Sequence, residues 1–192
     1  DTLSKTASDK NIVSFLLQLC QALRYEPELI KAEKKKDAEG TKEKEEEDSK
    51  EDVHDAMASP LARFLISRAV KSPVLGNYLH WYLVAEFSAP TKDDREVALF
   101  MRVHEAFLNS LEGSGQTVGI MQQTQLLKKL FMLGTEQKRL GGSLETKKRR
   151  MCEKLSPGGE YEDMAEFPSV PLPYDPALQV KGVVPTSPRV FK

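Results

Sequence analysis

The chain has 192 residues, of which 40% are hydrophobic and 30% are charged, and its 28 basic and 29 acidic residues give a formal net charge of −1. This length suits one domain with an appendage, and the balanced charge gives no global attraction to nucleic acid or to an anionic membrane. Cys20 and Cys152 form no CxxC pair, so we expect reduced thiols in a cytosolic protein and neither a disulfide nor a zinc site.

The first predicted helix covers residues 9–25, where apolar side chains recur at intervals of three and four. Ser8 or Asp9 is suited to cap its start, and Pro27 ends the pattern. Residues 31–57 follow as a charged run with almost no large apolar side chain. Such a run cannot bury enough surface to offset chain entropy, so we predict a disordered linker inserted between two helices, with a regulatory or interaction tail as the alternative.

Two serine–proline pairs, Ser59-Pro60 and Ser72-Pro73, predict the starts of the next two helices. A serine hydroxyl caps the exposed N–H groups of a helix, and a proline at the first position loses no hydrogen bond there. The second of these helices carries an apolar residue in nearly every turn, which is typical of a helix packed between neighbours.

Three further helices are predicted over residues 94–111, 120–140 and 144–155. The short breaks between helices favour antiparallel pairs stacked as in an α-solenoid. From about Glu166 the pattern becomes extended, and residues 177–184, "ALQVKGVV", predict one β-strand. The predicted fold class is therefore mainly α, with α-solenoid-like antiparallel helix pairs followed by an extended C-terminal segment with one β-strand.

The C-terminal segment raises a question of stability. A lone first strand leaves an unpaired edge. We therefore expect the segment after about Gly159 to be poorly anchored unless it packs on the helices.

The glycine-rich loop "GSGQTVG", residues 113–119, is interpreted as a turn between helices. A phosphate-binding loop needs Lys and Ser or Thr directly after its last glycine, but Ile120 and Met121 stand there. The histidines, His80 among them, have no metal-ligand spacing with one another or with a cysteine, so each is interpreted as a packed or surface residue.

A basic cluster covers Lys147–Lys154. It fits either a nucleic-acid or lipid-headgroup patch or a solvated helix face, and the acidic residues around it favour the second interpretation. No catalytic, cofactor-binding or metal-binding residue is assigned to this chain.

Three stretches resemble one known family. The segment Ala62–Glu86, "ARFLISRAVKSPVLGNYLHWYLVAE", is similar to the end of the helical accessory domain of phosphatidylinositol 3-kinases, with the strongest likeness to the class III, vacuolar-sorting type. The segment Phe167–Pro185, "FPSVPLPYDPALQVKGVVP", resembles the start of the kinase N-lobe of that family. The helix Phe15–Glu26 fits an earlier part of the same helical domain.

The resemblance implies that the chain is a fragment of a larger enzyme, which also fits its start at Asp1 and its end at Lys192. Its expected parts are the first part of the helical domain (1–30), the charged linker (31–57), the end of the helical domain with connecting helices (58–157), and the lead-in and first strand of the N-lobe (158–192). The residues expected to form the support core are Phe64, Leu65, Tyr78, Trp81, Tyr82 and Phe107.

The resemblance also implies a function for the full enzyme. It would transfer the γ-phosphate of ATP, with magnesium, to the 3-hydroxyl of phosphatidylinositol. Its partners would be a kinase-like regulatory subunit and a beclin-like protein, with no role for nucleic acid. It would be a cytoplasmic protein peripheral on endosomal and autophagic membranes, and it would contact phosphatidylinositol membranes through the lobes that are missing from this chain. The catalytic and metal loops of the family are missing from this chain, so we expect the fragment alone to be inactive.

Two alternatives remain open from the sequence. One is a non-enzymatic α-helical scaffold whose tail, "VPLPYDP", is a proline-rich docking peptide. The other is a phosphatidylinositol 4-kinase, which shares the order of a helical domain before a kinase domain.

Overall fold

The computed structural model describes residues 8–26, 56–89 and 93–183, and most of these residues are helical. The helices are α1 (Asp9–Ala22), α2 (Pro60–Lys71), α3 (Pro73–Phe87), α4 (Asp94–Ser110), α5 (Gln116–Leu140) and α6 (Leu144–Leu155). Two short strands, β1 (Val170–Leu172) and β2 (Asp175–Val180), follow them. The predicted mainly α fold is confirmed.

The chain divides into two compact units, Asp1–Thr117 and Val118–Lys192. The division falls inside the predicted segment 58–157, so α1 to α4 belong to the first unit and most of α5, with α6 and the strands, belongs to the second. The predicted linker and His54 lie outside the described residues, except that Ala56 and Met57 are helical and Ala56 is buried.

Two helices start at the predicted capping residues Ser8 and Ser59, and α6 starts at Ser143, a cap that the sequence had not indicated. The Oγ atoms of Ser8, Ser59 and Ser143 accept hydrogen bonds from the first-turn amides of α1, α2 and α6. Each bond satisfies an N–H group that has no partner inside its own helix. Ser72 occupies the cap position of α3, but its side chain makes no capping bond there.

Helix α3 is the centre of the first unit and packs against α1, α2 and α4. Its glycine, Gly76, is buried, and a Cβ atom there would lie 3.0 Å from the backbone oxygen of Ala69 and 3.5 Å from Cζ of Phe107. The missing side chain therefore lets the neighbouring helices approach α3 closely.

The predicted core residues differ in their burial. Leu65 and Phe107 are buried as predicted, at 2% and 0% exposure. The other four are only partly buried: Phe64, Tyr78, Trp81 and Tyr82. Helix α3 is therefore less enclosed than its composition predicts, since bulky aromatic side chains leave an edge at the surface even when neighbours cover most of the helix.

A buried polar contact ties the end of the α1 segment to the start of α2. The Ser59 hydroxyl is fully buried and donates to Oε2 of Glu26 at 2.7 Å, and the same oxygen accepts from the backbone N–H of Leu61 at 3.3 Å. The Glu26 carboxylate thus lies at the amino end of α2, where the helix dipole favours a negative charge. This contact joins the two sides of the charged insertion.

In the second unit, helix α5 begins at Gln116, earlier than the predicted start at residue 120. The prediction treated Gly119 as part of the turn, whereas the structure has it inside the helix. A helical glycine costs only about 1 kcal/mol relative to alanine, so neighbouring residues can carry the helix through it.

The core of the second unit joins the helices to the C-terminal segment. Leu133 of α5 and Leu155 of α6 pack with Tyr161 and Met164, which lie beyond the last helix. The segment after Gly159 therefore packs on the helices. From the sequence, we expected this segment to be anchored only if it packs in this way.

The structure contains two strands in this segment where the sequence predicted one. Strands β1 and β2 pair antiparallel, with Val170 opposite Val180. Beyond the strands, the N–H of Phe167 donates to the oxygen of Lys181 at 2.9 Å, and the N–H of Val183 donates to the oxygen of Met164 at 2.8 Å. The first strand escaped prediction because its proline-spaced lead-in has no alternation of apolar and polar residues.

None of the helices in the described part of the chain combines the length and the apolar character that crossing a bilayer requires.

We expect Phe107→Ala to lower the free energy of unfolding by about 3–5 kcal/mol, because the substitution empties a fully buried site. The matched control is Phe15→Ala, which removes the same ring from a side chain that is 62% exposed and should cost about 0.5 kcal/mol or less. Urea unfolding followed by circular dichroism measures both values. Equal losses for the two variants would contradict the described packing.

Candidate functional site

Two histidines from neighbouring helices meet inside the first unit. Nε2 of His104, on α4, lies 2.9 Å from Nδ1 of His80, on α3, so one ring donates a hydrogen bond and the other accepts it. The ring of Trp81 meets His80 edge-on at 4.7 Å between centroids, and the ring of Phe87 lies 5.3 Å from that of His104. The pair is thus held in a largely aromatic setting between two helices.

Burial keeps both imidazoles neutral. Burial and, to a smaller extent, the charge of His104 lower the pKa of His80 to about 4, while burial alone lowers the pKa of His104 to about 4. The bond between the rings also requires that one nitrogen accept, so the two rings cannot both be protonated without losing it. Nε2 of His80 is buried and has no hydrogen-bond partner among the described residues.

The sequence predicted a packed or surface histidine at each position, and the structure agrees for His80, which is 5% exposed. The sequence did not predict that His80 and His104 meet. The signal that could have found the pair is their common placement on apolar faces of two consecutive helices, which an antiparallel arrangement brings together. Across the ranges 8–26, 56–89 and 93–183, no cluster of three or more His, Cys, Asp or Glu side chains could hold a metal ion.

We expect the histidine pair to make the fold acid-sensitive. The pKa values are lowered in the folded state, so the unfolded chain binds more protons below pH 6.5, and stability falls as the pH drops from about 6.5 towards 4. The slope approaches about 1.4 kcal/mol per pH unit for each histidine. Urea unfolding at stepped pH measures it.

The control for this prediction is His104→Gln, whose side-chain amide can still bond to His80 but does not titrate. Since carboxylates and His80 are present in both proteins, the difference between the two pH profiles isolates the contribution of His104. Parallel profiles for wild type and variant would show that His104 does not change its protonation on unfolding.

A buried carboxylate links three elements of the same unit. Glu86 of α3 is 7% exposed, and its oxygens accept from Nε2 of Gln21 at 3.2 Å and from Nη2 of Arg24 at 3.4 Å. Arg24 also reaches Glu96 of α4, with 3.9 Å between Nη1 and Oε2. The carboxylate is thus paired and hydrogen-bonded, as a buried charge must be.

This carboxylate affects the nearby cysteine. Cys20 is a free thiol with 0% exposure, and its pKa is raised to about 12 by burial and, to a smaller extent, by the charge of Glu86. Because the thiolate is the reactive form, Cys20 is chemically inert in the fold. Both cysteines are free, as the sequence predicted.

We expect Ellman's reagent to label the native chain quickly at Cys152, which is partly exposed, and to reach Cys20 only after unfolding. Replacing Cys152 by serine should abolish the fast phase, and replacing Cys20 by serine should leave it intact. Fast labelling of Cys20 in the native protein would be incompatible with its described burial.

A shallow groove of about 190 Å³ lies in the second unit, between α5 and the segment that leads into β1. Lys129 and Asp163, which both line this groove, form a salt bridge. Its lining residues are Gln122, Gln125, Leu126, Lys129, Asp163, Met164, Phe167, Pro168 and Val170. Its one carboxylate is paired with a lysine and it holds no Ser, Cys or His side chain, so this lining offers no nucleophile with a base.

The glycine-rich loop forms a turn between helices as predicted, but only over its first residues, because the helix begins at Gln116 within the predicted turn. Gly113 adopts φ 77°, and α5 begins at Gln116, whose Nε2 donates to the backbone oxygen of Val70 at 2.7 Å. The loop thus tethers the start of α5 to the end of α2.

Comparison with known proteins agrees with this architecture. Residues 2–118 match the "Phosphoinositide 3-kinase family, accessory domain (PIK domain)", a span that nearly coincides with the first compact unit. Over 188 residues, the chain is 28% identical to "Phosphatidylinositol 3-kinase pik3" of Schizosaccharomyces pombe. The aligned stretch covers 98% of the chain and 21% of that protein.

Two further relatives show the same pattern. The chain is 30% identical over 216 residues to "Phosphatidylinositol 3-kinase catalytic subunit type 3" of Caenorhabditis elegans, covering 99% of the chain and 24% of that protein. It is 27% identical over 203 residues to "Phosphatidylinositol 3-kinase VPS34" of Candida albicans, covering 98% of the chain and 19% of that protein.

The chain therefore spans about a fifth to a quarter of the length of these relatives. The resemblance drawn from Ala62–Glu86 and the other segments is confirmed. With the accessory-domain match over more than half of its residues and the helical packing described above, the chain belongs to the phosphoinositide 3-kinase family, and it carries that family's helical accessory domain.

Proposed function

We propose that this chain is the helical support of a phosphatidylinositol 3-kinase. The full enzyme transfers the γ-phosphate of ATP, with magnesium, to the 3-hydroxyl of phosphatidylinositol. The observation that carries the proposal is the accessory-domain match over residues 2–118, which coincides with a packed helical unit. The three relatives, all named as phosphatidylinositol 3-kinases, support the reaction class.

The described residues suit a supporting role rather than a chemical one. Helix α3 is packed against three other helices, its buried carboxylate Glu86 is neutralised by partners, and Cys20 is inert. The described part of the chain offers no cluster for magnesium. By family resemblance, ATP and magnesium bind in parts of the enzyme beyond these residues, and the isolated chain is expected to be inactive.

The proposal extends to the setting of the enzyme. By family resemblance, the partners are a kinase-like regulatory subunit and a beclin-like protein, and the location is the cytoplasmic face of endosomal and autophagic membranes. A rigid helical unit suits such an assembly, because it can orient a catalytic domain towards a lipid surface.

The scaffold alternative loses its main feature in the structure. The proline-rich stretch does not form a separate polyproline segment, since Val170–Leu172 pairs with Asp175–Val180 and Val170 is 3% exposed. A docking peptide for an aromatic-lined groove must be accessible and extended as polyproline II. The 4-kinase alternative differs in the position of the transferred phosphate and is resolved by the product.

The test is a lipid kinase assay on the endogenous protein, captured from its source with an antibody against residues 93–183. Labelled ATP, magnesium and phosphatidylinositol vesicles are supplied, and the deacylated product is separated by chromatography. We expect the 3-phosphate. A 4-phosphate would establish the 4-kinase alternative, and no labelled lipid would favour the scaffold. The purified 192-residue chain is the control and should produce no labelled lipid.

The supporting role has its own readout in the full enzyme. Phe107→Ala should shorten the half-life of activity at 37 °C and leave the KM for ATP unchanged, since the side chain is fully buried in the core of the helical unit. Phe15→Ala, with its exposed ring, should alter neither quantity. A raised KM for ATP in the Phe107 variant would count against a purely supporting role.

A further inference from the structure

The turn between α5 and α6 combines exposed leucines with basic residues. The turn consists of Leu140, Gly141, Gly142, Ser143 and Leu144, and we call it the α5–α6 turn. Leu140 is 50% exposed and Leu144 is 55% exposed. Between Glu136 and Arg150 the sequence has six basic and two acidic residues. The region is therefore strongly positive in a chain whose net charge is near zero.

The α5–α6 turn has a defined conformation. Gly141 and Gly142 both adopt positive φ angles, 64° and 97°, which residues with a side chain rarely take. Nη2 of Arg150 donates to the backbone oxygen of Gly141 at 2.6 Å, and the Ser143 hydroxyl caps α6 by accepting from the N–H of Thr146 at 3.2 Å. The two leucines are thus presented at fixed positions on either side of the glycines.

The exposed end of α6 continues a buried apolar stripe. Leu144, Lys148, Met151 and Leu155 follow one another at helical spacing on one face of the helix. Leu155 is 1% exposed and Met151 packs against the same core, whereas Leu144 is 55% exposed. The core of the second unit therefore covers the last turns of α6 and leaves Leu144, in the first turn, exposed.

The charges around the turn differ in whether they have partners. Lys154 is paired with Glu136 at 2.8 Å, and Arg149 lies 4.0 Å from Glu153. Among the described residues, Lys138, Arg139, Lys147 and Lys148 have no salt bridge. Lys147 and Lys148 lie three and four residues after Leu144, and so on its side of the helix. Glu145, in the first turn of α6, is the acidic residue adjoining these cations.

We propose that the α5–α6 turn is a contact site for a membrane surface rich in anionic phospholipid. Lys138, Arg139, Lys147 and Lys148 face the lipid phosphates, while Leu140 and Leu144 enter the interfacial region of the bilayer. Exposed apolar side chains framed by lysine and arginine are the combination that interfacial binding requires, since long basic side chains extend along the surface while apolar ones are buried in it. Lipid is favoured over nucleic acid because the leucines would remain in water on a nucleic acid.

The test measures binding of the purified 192-residue chain to sedimented vesicles. Vesicles of phosphatidylcholine alone are compared with vesicles containing about 30% phosphatidylserine, a composition that supplies the negative surface potential. We expect binding only to the second kind, with an affinity that falls as salt is raised, because screening weakens the attraction. Equal binding to both vesicles, or none to either, would overturn the proposal.

Matched variants locate the site. The double variant Lys147→Gln with Lys148→Gln should lower the affinity for phosphatidylserine vesicles about 25-fold, because each lost charge lowers the affinity about fivefold. Arg63→Gln with Lys71→Gln removes the same charge from exposed residues of α2 and should change the affinity by less than about twofold. Equal losses for the two pairs would show that only net charge matters and would overturn the site.

The leucines separate lipid from other polyanions. Leu140→Ser with Leu144→Ser should weaken vesicle binding several-fold while leaving the salt dependence unchanged, whereas Leu17→Ser with Val74→Ser, on exposed positions of the first unit, should not weaken it. If the Leu140 and Leu144 pair has no effect and the chain binds duplex RNA as tightly as vesicles, the site is a general polyanion surface and the proposal fails. Unchanged circular dichroism and thermal unfolding establish that each variant is folded.

This test is independent of kinase activity. Vesicle binding by the chain can succeed while the lipid kinase assay fails, and the reverse can also occur. The two proposals therefore stand or fall separately.

Discussion

The burial of helix α3 is the constraint on which the first unit depends. Helices α1, α2 and α4 each have an apolar face and a polar face, and each contacts α3. An amphipathic helix of this length is marginal alone in water and gains most of its stability from covering its apolar face. Leu75, Leu79 and Leu83 supply the fully covered side of α3, at 1% exposure or less. Removing α3 would leave the other helices with no common partner.

Packing around α3 also decides which polar groups enter the interior. Glu86 is acceptable there because Gln21 and Arg24 bond to it, and Ser59 because it both donates to Glu26 and accepts from Ala62. Buried polar groups without such bonds cost several kcal/mol. The bond between His80 and His104 exists only while at least one ring accepts, so the neutrality of the pair at physiological pH is part of the packing.

The second unit combines a small core with exposed apolar side chains on its long helix. Its core is small, with Leu133, Leu155, Tyr161 and Met164, and its long helix α5 leaves Leu127, Leu130 and Phe131 exposed at 38%, 39% and 74%. The accessory-domain match ends at residue 118, close to the start of this unit. The relatives are four to five times as long as the matched part. The chain thus contains one unit that completes its own core and one that presents apolar and basic surface to its surroundings.

The sequence by itself determined the helices, the caps at Ser8 and Ser59, and the family. These two serines set helix starts through local hydrogen bonds, and the apolar period set helix faces, because both signals act over a few residues. The resemblance of Ala62–Glu86 to the family needed only the order of side chains. The start of α5 was misplaced because the local preference of Gly119 against helix was outweighed by the packing of its neighbours.

Only the tertiary structure decided which residues meet across helices. His80 and His104 are far apart in sequence and become bonded because α3 packs on α4. The pairing of β1 with β2, the tie from Glu26 to Ser59 and the partly buried position of Trp81 have the same origin. Such contacts depend on the relative placement of whole elements, and local sequence carries no signal that fixes that placement.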